Sequence, residues 1–458
     1  MPQSPLRVAI VGAGPAGFYA AEHVLKNSEH ASVDLFDRLP TPFGLVRAGV
    51  APDHQKIKNV TRVYDRTAAR HGFRFFGDVD YGSDVSLADL RRHYHAIVFT
   101  TGAQIDRRLG IPGEDLPRSH SATEFVAWYN GHPDFRDLQF DLNQKAAVIV
   151  GVGNVAVDVA RILCRTHEEL ATTDIADYAL EALRDSRIED VYVLGRRGPS
   201  QAAFTNPEAK ELGELEGADL LIKPEEAEPD PLSRAEMEAN PDRQTDRKVE
   251  MIRDYAGRSP SGKPRRLHLR FLVSPTSIDA GEDGGVGAVR IVRNEIYRNE
   301  RGTLRPRATS DTDVLEAGLV FRSVGYRGVA LPDVPFRDDW GIIRNEDGRI
   351  QDESGAHVPG LYTAGWIKRG PSGVIGTNKA CAVGTVDLLL ADAEAGLLPN
   401  PESPSPEAAA AMVAARKPDF FDFAAWQRLD GLETQAGEAS GRPRVKFTTR
   451  EEMRAALG

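Results

Sequence analysis

The hydrophobic positions of this chain recur as short β-branched runs, each followed by an apolar pattern with helical spacing. The run VAIVG at residues 8–12 leads into a helical pattern that reaches residue 25. VDLFD (33–37) and HAIVFTTGA (95–103) predict two further strands, and KAAVIVGVGN (145–154) starts the same pattern again. Strands that alternate with helices are typical of parallel sheets with crossover helices. The pattern therefore predicts two mainly parallel sheets, one after the other along the chain.

The second half of the chain departs from this alternation and then returns to it. LHLRFLVSPTSI (267–278) and VGAVRIVRNEI (286–296) alternate like antiparallel strands and predict a hairpin arm or meander. Residues 224–248 are polar, charged and proline-bearing, which predicts a surface excursion that contains a helix. AGLVFRSVGYRG (317–328) and GLYTAGWIKRGPSGVIGTN (360–378) again combine strands with glycines. We therefore expect one domain, a second domain inserted into it, and a return to the first.

The first junction of strand and helix carries a dinucleotide fingerprint. Gly12, Gly14 and Gly17 form G-x-G-x-x-G, which permits a tight turn, close approach of a pyrophosphate and packing of the helix on the sheet. The amide groups at the start of the helix favour phosphate binding. Asp37 ends the next strand, twenty residues after Gly17, where a carboxylate can bind a ribose hydroxyl. This arrangement predicts a site for FAD.

The stretch VGVGNVAVDVARIL carries a second fingerprint, in which Gly151, Gly153 and Ala156 form the G-x-G-x-x-A variant. The following strand, VYVLGRR, ends in Arg196 and Arg197 rather than in an acid. Two guanidiniums favour a 2′-phosphate through charge-assisted hydrogen bonds, whereas an acid would repel it. The alternative is a solvated arginine pair at a strand end. We interpret the pair as a site for NADP(H), so that a hydride passes from nicotinamide to flavin.

The two fingerprints predict an α/β protein with two Rossmann-like dinucleotide-binding domains. The arrangement is glutathione reductase-like, with the NADP domain inserted in the FAD domain. We place the FAD-binding domain at 1–105 and 326–458, and the NADP-binding domain at 106–325. A chain of 458 residues is too long for one hydrophobic core, which agrees with more than one domain.

Composition narrows the class of protein. The hydrophobic fraction of 41% and the charged fraction of 27% are typical of a globular protein. No stretch approaches the roughly 18 consecutive apolar residues that a membrane span needs. The first predicted strand begins within ten residues of Met1, so we expect no leader and a cytoplasmic, bacterial protein. The net charge of −11 argues against nucleic acid as the main partner.

Cys164 and Cys381 are the two cysteines of the chain. They cannot form a C-x-x-C redox pair and are too few to ligate an iron–sulfur cluster, so we expect packing roles and no metal site. This argues against a flavin-linked disulfide reductase, which needs a cysteine pair beside the flavin. An NADPH–flavin electron-input component of a larger oxidoreductase usually carries iron–sulfur clusters, and it stays the alternative. A redox sensor that binds nucleotides without turnover is also left open.

Several longer strings are particular to one family. They are LPTPFGLVRAGVAPDHQKIK (39–58), GVGNVAVDVARIL, GRRGPSQAAFT (195–205), SVGYRG (323–328), GWIKRGPSGVIGTN (365–378) and GRPRVKF (441–447). Through them the sequence resembles the adrenodoxin reductase family of ferredoxin–NADP(+) reductases, and its bacterial members in particular, over essentially the whole chain. The resemblance implies an NADPH–ferredoxin oxidoreductase, in which FAD receives a hydride from NADPH and single electrons pass to a ferredoxin or flavodoxin.

The resemblance also implies individual contact residues. For FAD they are Gly12, Gly14, Ala16, Gly17, Asp37, Leu45, Trp366, Gly373, Val374 and Ile375. For NADP they are Arg107, Val152, Gly153, Asn154, Val155, Arg196, Arg197, Glu208 and Gly373, the last where the two cofactors meet. Arg107 and Glu208 rest on the resemblance alone. His54 and Glu211 are the titratable residues that it places near the flavin, with a catalytic role as one interpretation and a structural role as the other.

Trp366 departs from the wider group of flavoenzymes, many of which have an Asp at this point of an AGD motif. Here the string is GLYTAGW. An indole cannot accept hydrogen bonds from ribityl hydroxyls, but its flat face can cover a flavin or nicotinamide ring. The alternative is a tryptophan of the core.

An acidic one-electron carrier would be repelled by the net charge of −11, so docking requires a local basic patch. The densest candidate is KPRRLHLR (263–270), which contains Arg265 and Arg266. Arg47, Lys56 and Lys58 are the other candidates.

Overall fold

The computed structural model describes residues 5–458, and the first four residues of the predicted FAD domain lie outside them. The described chain divides into two compact units. Unit 1 comprises the residues up to 50, residues 54–105 and residues 326–458, and unit 2 comprises residues 51–53 and 106–325. Residues 51–53 therefore belong to unit 2, whereas the sequence-based division places them in the first domain.

The strands and helices are numbered in chain order. The strands are β1 (Arg7–Val11), β2 (Ser32–Asp37), β3 (Phe73–Gly77), β4 (Ala96–Phe99), β5 (Ile105–Asp106), β6 (Ser119–Ser121), β7 (Ala146–Val150), β8 (Asp190–Gly195), β9 (Ala218–Leu221), β10 (Arg265–Phe271), β11 (Val273–Ala280), β12 (Val286–Arg298), β13 (Leu304–Glu316), β14 (Leu319–Arg322), β15 (Tyr326–Arg327), β16 (Phe336–Arg337), β17 (Ile342–Ile343), β18 (Asn345–Glu346), β19 (Arg349–Gln351) and β20 (His357–Thr363). The α-helices are α1 (Pro15–Asn27), α2 (Leu45–Ala48), α3 (Gln55–Lys58), α4 (Thr61–Ala68), α5 (Leu87–His93), α6 (Ala122–Tyr129), α7 (Asn154–Cys164), α8 (His167–Ala171), α9 (Asp177–Arg184), α10 (Asn206–Leu212), α11 (Pro224–Ala227), α12 (Pro231–Ala239), α13 (Arg243–Ala256), α14 (Trp366–Arg369), α15 (Thr377–Glu394), α16 (Pro406–Arg416), α17 (Phe423–Ala439) and α18 (Arg450–Leu457).

Unit 1 is built on a seven-stranded sheet with the order β18-β19-β20-β4-β1-β2-β3. The strands from β20 to β3 are parallel, and β18 and β19 extend the sheet as an antiparallel edge. Every residue of β1 and β4 is buried, as expected for parallel strands with helices on both faces. The chain passes from β1 to β2 on one side and later returns to β4 on the other. Ligands of such sheets bind at this switch point, beyond the carboxyl end of β1.

Unit 2 contains a six-stranded sheet with the order β6-β14-β7-β8-β10-β9, and all of its strand pairs are parallel. The chain leaves β7 for β8 on one side and returns to β14 on the other, so the switch point lies beyond the carboxyl end of β7. Together with the first sheet, this confirms the prediction of two Rossmann-like folds in an α/β chain.

A separate antiparallel sheet, β11-β12-β13, belongs to unit 2. The two predicted strands correspond to parts of β10, β11 and β12, and β13 is an additional strand whose side chains are nearly all solvent-accessible. The polar excursion over 224–248 holds not one helix but α11, α12 and the start of α13. Within residues 5–458, no helix has the length and apolar character that a membrane crossing requires.

Candidate dinucleotide-binding sites

The first fingerprint forms the turn between β1 and α1 in unit 1. Gly12 has a φ of +108°, and an added Cβ would lie 2.7 Å from the carbonyl oxygen of Thr100. Its amide donates to the carbonyl of Phe36 on β2, at 2.8 Å. Gly17 brings α1 against the turn, since an added Cβ would lie 2.1 Å from the carbonyl oxygen of Gly12. The turn therefore requires glycine at both positions.

Asp37 ends β2 beside this turn. Its carboxylate accepts hydrogen bonds from the amides of Ala13, at 2.7 Å, and Leu39, at 2.9 Å. Burial raises the pKa of the Asp37 carboxyl, and the two amide donors oppose that shift. A carboxylate offers about four acceptor positions, so two amides leave acceptor capacity for ribose hydroxyls. Asp37 thus stabilises the turn and still fits the predicted role toward FAD.

The start of α1 has the features of a phosphate site. Gly14 caps the helix without a side-chain hydrogen bond, and an added Cβ there would meet nothing within 4 Å. The carbonyl of Ala13 accepts from the amide of Phe43 at 2.8 Å, which places residues 39–48 beside the turn. Leu45 is 44% exposed in this segment, whereas Ala16 is buried. Amide groups at a helix start bind phosphate favourably, so this turn fits a pyrophosphate.

The segment after β20 contributes an aromatic ring and exposed backbone in unit 1. Trp366 begins α14 and is half-buried rather than enclosed in the core. One face of its indole stacks on Tyr326, with ring centroids 6.0 Å apart and an interplanar angle of 15°. Its Nε1 donates to the carbonyl of Ser372 at 3.2 Å. Gly373 and Val374 are exposed and Ile375 is half-buried, so this backbone is accessible just before α15.

The second fingerprint forms the turn between β7 and α7 in unit 2. The amide of Gly151 donates to β8 at 2.9 Å. Asn154 is the first residue of α7, and its Oδ1 accepts from the amide of Thr205 at 3.1 Å. The carbonyl of Val152 accepts from the amide of Ala203 at 2.9 Å. These two hydrogen bonds hold the turn against the loop that contains Ala203 and Thr205. The predicted NADP contacts that lie on this turn are Val152, Gly153, Asn154 and Val155.

Arg196 and Arg197 follow β8 beside this turn. Arg196 is exposed and Arg197 is half-buried. Within residues 5–458, no carboxylate forms an ion pair with either guanidinium. Burial, and then the like charges of Arg196 and Arg305, lower the pKa of the Arg197 guanidinium. Cations gathered without a carboxylate fit a bound anion, and a 2′-phosphate supplies the matching charge.

Arg107 and Glu208 are the other predicted NADP contacts in unit 2. Arg107 is exposed just after β5, and its amide donates to the carbonyl of Gly325 at 2.9 Å. Glu208 lies on α10 and is buried. Gly373, for which contacts to both cofactors are predicted, belongs to unit 1.

The two candidate catalytic residues belong to different units. His54 directly precedes α3 in unit 1, where its carbonyl accepts from the amide of Ile57 at 3.1 Å. Glu211 lies on α10 in unit 2, with its Oε2 3.1 Å from Nη1 of Arg161.

Arg161 is the centre of an ionic cluster that the sequence did not reveal. Its side chain is fully buried on α7, with Nε 2.6 Å from Oδ2 of Asp53 and Nη2 2.7 Å from Oδ1 of Asp158. Arg165 also reaches Asp53, at 2.8 Å. Although burial opposes it, the surrounding carboxylates raise the pKa of the Arg161 guanidinium. The cluster connects Asp53 to α7 within unit 2, and it includes the carboxylate of Glu211 through an ion pair.

The run at 263–270 is not the free basic patch that the sequence predicts. Arg266 forms two hydrogen bonds to Asp190, at 2.7 and 2.5 Å. Nη1 of Arg265 donates to the carbonyl of Arg165 at 2.6 Å, and Arg270 is buried against Glu226. The side chains of these arginines are therefore bonded within unit 2, around β10, which lies between β8 and β9 in the parallel sheet.

The other predicted docking cations differ among themselves. Arg47 forms a buried bidentate pair with Glu433, at 2.8 and 2.6 Å, so its charge is neutralised within unit 1. Lys58 is buried, which corrects its prediction as a docking residue. Lys56 is exposed and stays a candidate.

The cysteines have the surroundings of packing residues. Cys164 is fully buried in the core of unit 2, and burial raises the pKa of its thiol to about 12. Cys381 lies on α15 in unit 1, where its Sγ accepts from the amide of Gly365 at 3.2 Å. A thiol with so high a pKa forms little thiolate, so Cys164 is unsuited to disulfide exchange.

Comparison with known proteins places these sites in a family. Residues 6–193 match the family model described as pyridine nucleotide-disulphide oxidoreductase. The chain is 44% identical over 467 aligned positions to the NADPH-ferredoxin reductase FprA of Mycobacterium tuberculosis, covering 99% of this chain and 100% of that protein. It is 40% identical to the mitochondrial NADPH:adrenodoxin oxidoreductase of Arabidopsis thaliana, covering 99% of this chain and 95% of the relative.

Solved structures agree with the sequence comparison. The structure of Mycobacterium tuberculosis FprA in complex with NADPH superimposes with a TM-score of 0.92 at 44% identity, covering 99% of this chain and 100% of that one.

Proposed function

Because the chain belongs to the adrenodoxin reductase-type family of ferredoxin–NADP(+) reductases, we propose that it transfers electrons from NADPH, through bound FAD, to a ferredoxin. The main structural support for the proposal is the difference between the turn after β1 and the turn after β7. One turn is bonded to the carboxylate of Asp37, and the other lies beside the guanidiniums of Arg196 and Arg197, which form no ion pair within residues 5–458. FAD, when bound, accepts a hydride as an electron pair and releases electrons one at a time. A flavodoxin is the other acceptor of the same class.

Unit 1 would hold the FAD. The start of α1 would bind its pyrophosphate and Asp37 its ribose, in line with the open space at Gly14 and the spare acceptor positions of Asp37. Trp366 is half-buried beside the nearly parallel ring of Tyr326, and its flat indole would pack on the flavin or nicotinamide ring. The remaining proposed contacts in unit 1 are Gly12, Ala16, Gly17, Leu45, Gly373, Val374 and Ile375.

Unit 2 would hold the NADPH. The start of α7 would bind its pyrophosphate, and Arg196 with Arg197 its 2′-phosphate. The remaining proposed contacts are Arg107, Val152, Gly153, Asn154, Val155 and Glu208, with Gly373 from unit 1.

His54 and Glu211 are proposed to assist the transfer. The carboxylate of Glu211 forms an ion pair with Arg161, with its Oε2 3.1 Å from Nη1. Hydride transfer depends more on positioning than on acid–base catalysis, so we expect each residue to modulate the rate rather than enable it. His54→Ala and Glu211→Ala should slow reduction by NADPH while FAD content stays unchanged. A variant that lost FAD in proportion to activity would assign that residue to cofactor retention instead.

The proposal is tested with the purified protein. It should be yellow, release FAD on acid or heat treatment, and bleach rapidly when NADPH is added without oxygen. Addition of an oxidised ferredoxin should restore the colour, which separates a ferredoxin reductase from a nucleotide-binding sensor. Release of FMN, or bleaching by NADH as fast as by NADPH, would overturn the assignment. We further propose that the reaction takes place in the cytoplasm, which fractionation of the host cells would test.

A further inference from the structure

The antiparallel sheet of unit 2 is bonded to the backbone of the arginine pair. Asn294 on β12 is 4% exposed, and its Nδ2 donates to the carbonyl of Arg196 at 2.9 Å. The same amide group donates to Oγ of Ser274 on β11, at 2.8 Å. Both hydrogen atoms of the Asn294 amide are therefore engaged, and one of them reaches the residue that carries the first guanidinium.

A second connection runs through Leu272, which joins β10 to β11. The amide of Leu272 donates to the carbonyl of Arg197 at 3.1 Å, and its carbonyl accepts from the amide of Asn294 at 2.6 Å. Leu272 has a φ of +57°, a left-handed conformation that is strained for a residue with a Cβ atom. The strain is retained because these hydrogen bonds and the burial of Leu272 hold it in place.

The pairing of β12 with β13 is irregular next to Asn294. Pairing between β12 and β13 is continuous up to Val292 and shifts in register before it resumes at Asn294. A register shift of this kind redirects side chains at the edge of a site. Here the register shift lies next to Asn294, whose buried side-chain amide is hydrogen-bonded to Arg196 and Ser274.

The guanidiniums of Arg196 and Arg197 have no carboxylate partner within the described chain, so no ion pair sets their direction. Their direction depends on the backbone from which they project. We propose that Asn294 is a positioning residue for NADPH selectivity: it fixes the backbone of Arg196 and Arg197 so that both guanidiniums face the 2′-phosphate. The inference rests on the proposed function, in which these arginines bind that phosphate.

Ligand binding to the FAD-loaded protein separates this role from a general structural one. The probes are adenosine 2′,5′-bisphosphate, which carries the 2′-phosphate, and 5′-AMP, which lacks it. Loss of one hydrogen bond that preorganises a charged contact should weaken the bisphosphate about five- to tenfold in Asn294→Ala, as measured by calorimetry. Binding of 5′-AMP should stay within about twofold, and the preference of kcat/KM for NADPH over NADH should fall in parallel with the bisphosphate affinity.

Ser274→Ala is the matched control. It removes the other acceptor of the same Asn294 amide and leaves the bond to Arg196 intact, so binding of both probes should be unchanged. Asn294→Ser is a second variant for the case that Asn294→Ala does not accumulate as a folded flavoprotein. It keeps a polar side chain, but one too short to reach the Arg196 carbonyl, and should again weaken only the bisphosphate.

The double variant Arg196→Ala/Arg197→Ala distinguishes failure of the inference from failure of the proposed function. If it binds the bisphosphate like the unaltered protein, the arginines do not hold the 2′-phosphate, and the proposed function of the pair is wrong. If it loses the bisphosphate while the Asn294 variants retain it, only the positioning role is wrong. Equal weakening of both probes in Asn294→Ala would also overturn that role, because it would show a general distortion of the nucleotide site.

Discussion

The turn after β1 and the turn after β7 use the same backbone device on two different sheets. In each, the first glycine of the fingerprint donates its amide to the penultimate residue of the neighbouring strand, Gly12 to Phe36 at 2.8 Å and Gly151 to Leu194 at 2.9 Å. In each, the helix begins after a glycine that offers no side-chain cap. The helix-start amides are therefore left for a ligand in both turns.

The turns differ in the residues at the carboxyl end of the neighbouring strand: Asp37 is the last residue of β2, whereas Arg196 and Arg197 directly follow β8. Asp37 bends back to accept from the amide of Ala13, so the acid is part of the first turn. Arg196 and Arg197 form no ion pair in the described chain, and a neighbouring cation, Arg305, adds to their charge. The shared backbone fits dinucleotide binding at both turns, and we propose that the residues at the strand end select which dinucleotide is bound.

The third position of the fingerprint provides the sharpest contrast between the turns. In Gly17→Ala the added Cβ would lie 2.1 Å from the carbonyl oxygen of Gly12, so backbone must move and FAD should be lost. Ala156→Gly removes one buried methyl from α7 and should cost about 1–2 kcal/mol of stability, with FAD retained. The ratio of flavin to protein absorbance and thermal unfolding measure both effects. A yellow, stable Gly17→Ala protein would show that the first turn tolerates a Cβ as the second does.

Removal of both arginines tests the second turn by function. Each charged hydrogen bond to phosphate contributes about 1.5–3 kcal/mol, so Arg196→Ala/Arg197→Ala should lower kcat/KM for NADPH by about a hundredfold or more. The value for NADH should change little, because NADH has no 2′-phosphate. Steady-state reduction of ferricyanide with each nucleotide measures the difference. An equal loss with both nucleotides would contradict the contrast between the turns.

Asp37→Asn tests the first turn through pH. The folded-state pKa of Asp37 is raised above its ordinary value of 3.8, so the folded, cofactor-free protein binds a proton more tightly than the unfolded chain. Its contribution to stability is therefore present at low pH and is lost as pH rises from 3.8 through the folded-state pKa. The FAD-free variant is relieved of the buried charge but loses the acceptor of one of the two backbone amides, so its loss of stability relative to the unaltered protein should be smallest at pH 7 and grow as pH falls toward 4. It should also retain FAD about tenfold less well, since an amide accepts fewer hydrogen bonds.

Thermal unfolding of the FAD-free proteins between about pH 4 and pH 7 measures the first effect, and flavin titration measures the second. A stability difference that stayed constant between pH 4 and pH 7 would contradict the raised pKa of Asp37 and would assign the whole effect to the lost hydrogen bond.

Local sequence patterns were sufficient for β1, α1, β7 and α7, because glycine spacing and apolar periodicity act over a few residues. β13 was not predicted, since its nearly all-accessible side chains give no apolar alternation and its pairing with β12 is set by the sheet. The cluster around Arg161 was missed for another reason. Its carboxylate partner Asp53 lies 108 residues earlier in the chain. Neither local sequence contains a pattern that predicts this ion pair.

The predicted docking patch shows the same limit of local sequence patterns, because here a local pattern predicted a feature that the fold does not provide. A run of cations indicated a surface for an acidic carrier, but Asp190, 76 residues before Arg266, neutralises it. Reversal of Arg265 and Arg266 to Glu would thus destabilise unit 2 instead of testing partner docking. A run of like charges indicates a free charged surface only where no carboxylate from a distant part of the chain pairs with it. A single sequence does not show which distant residues form such pairs.

Arg305 on β13 gives the smallest of the expected effects. Its charge is among the causes that lower the pKa of the Arg197 guanidinium, after burial and Arg196, and within residues 5–458 it forms no ion pair of its own. A 2′-phosphate between these cations would be attracted by Arg305 as well, through a solvent-screened interaction rather than a required contact. Arg305→Ala should therefore weaken adenosine 2′,5′-bisphosphate only about two- to threefold at low salt.

The dependence on salt identifies the origin of that small effect. The screening length falls from roughly 30 Å at 0.01 M to about 8 Å at 0.15 M, so the difference between Arg305→Ala and the unaltered protein should shrink as salt is added. Arg301→Ala, in the exposed turn before β13, removes the same charge from the same hairpin and should have no comparable effect. A loss in Arg305→Ala that persisted at high salt would indicate a direct hydrogen bond to the phosphate. An equal loss in Arg301→Ala would instead assign the effect to the net charge of the hairpin, and the second turn would then select its nucleotide through Arg196 and Arg197 alone.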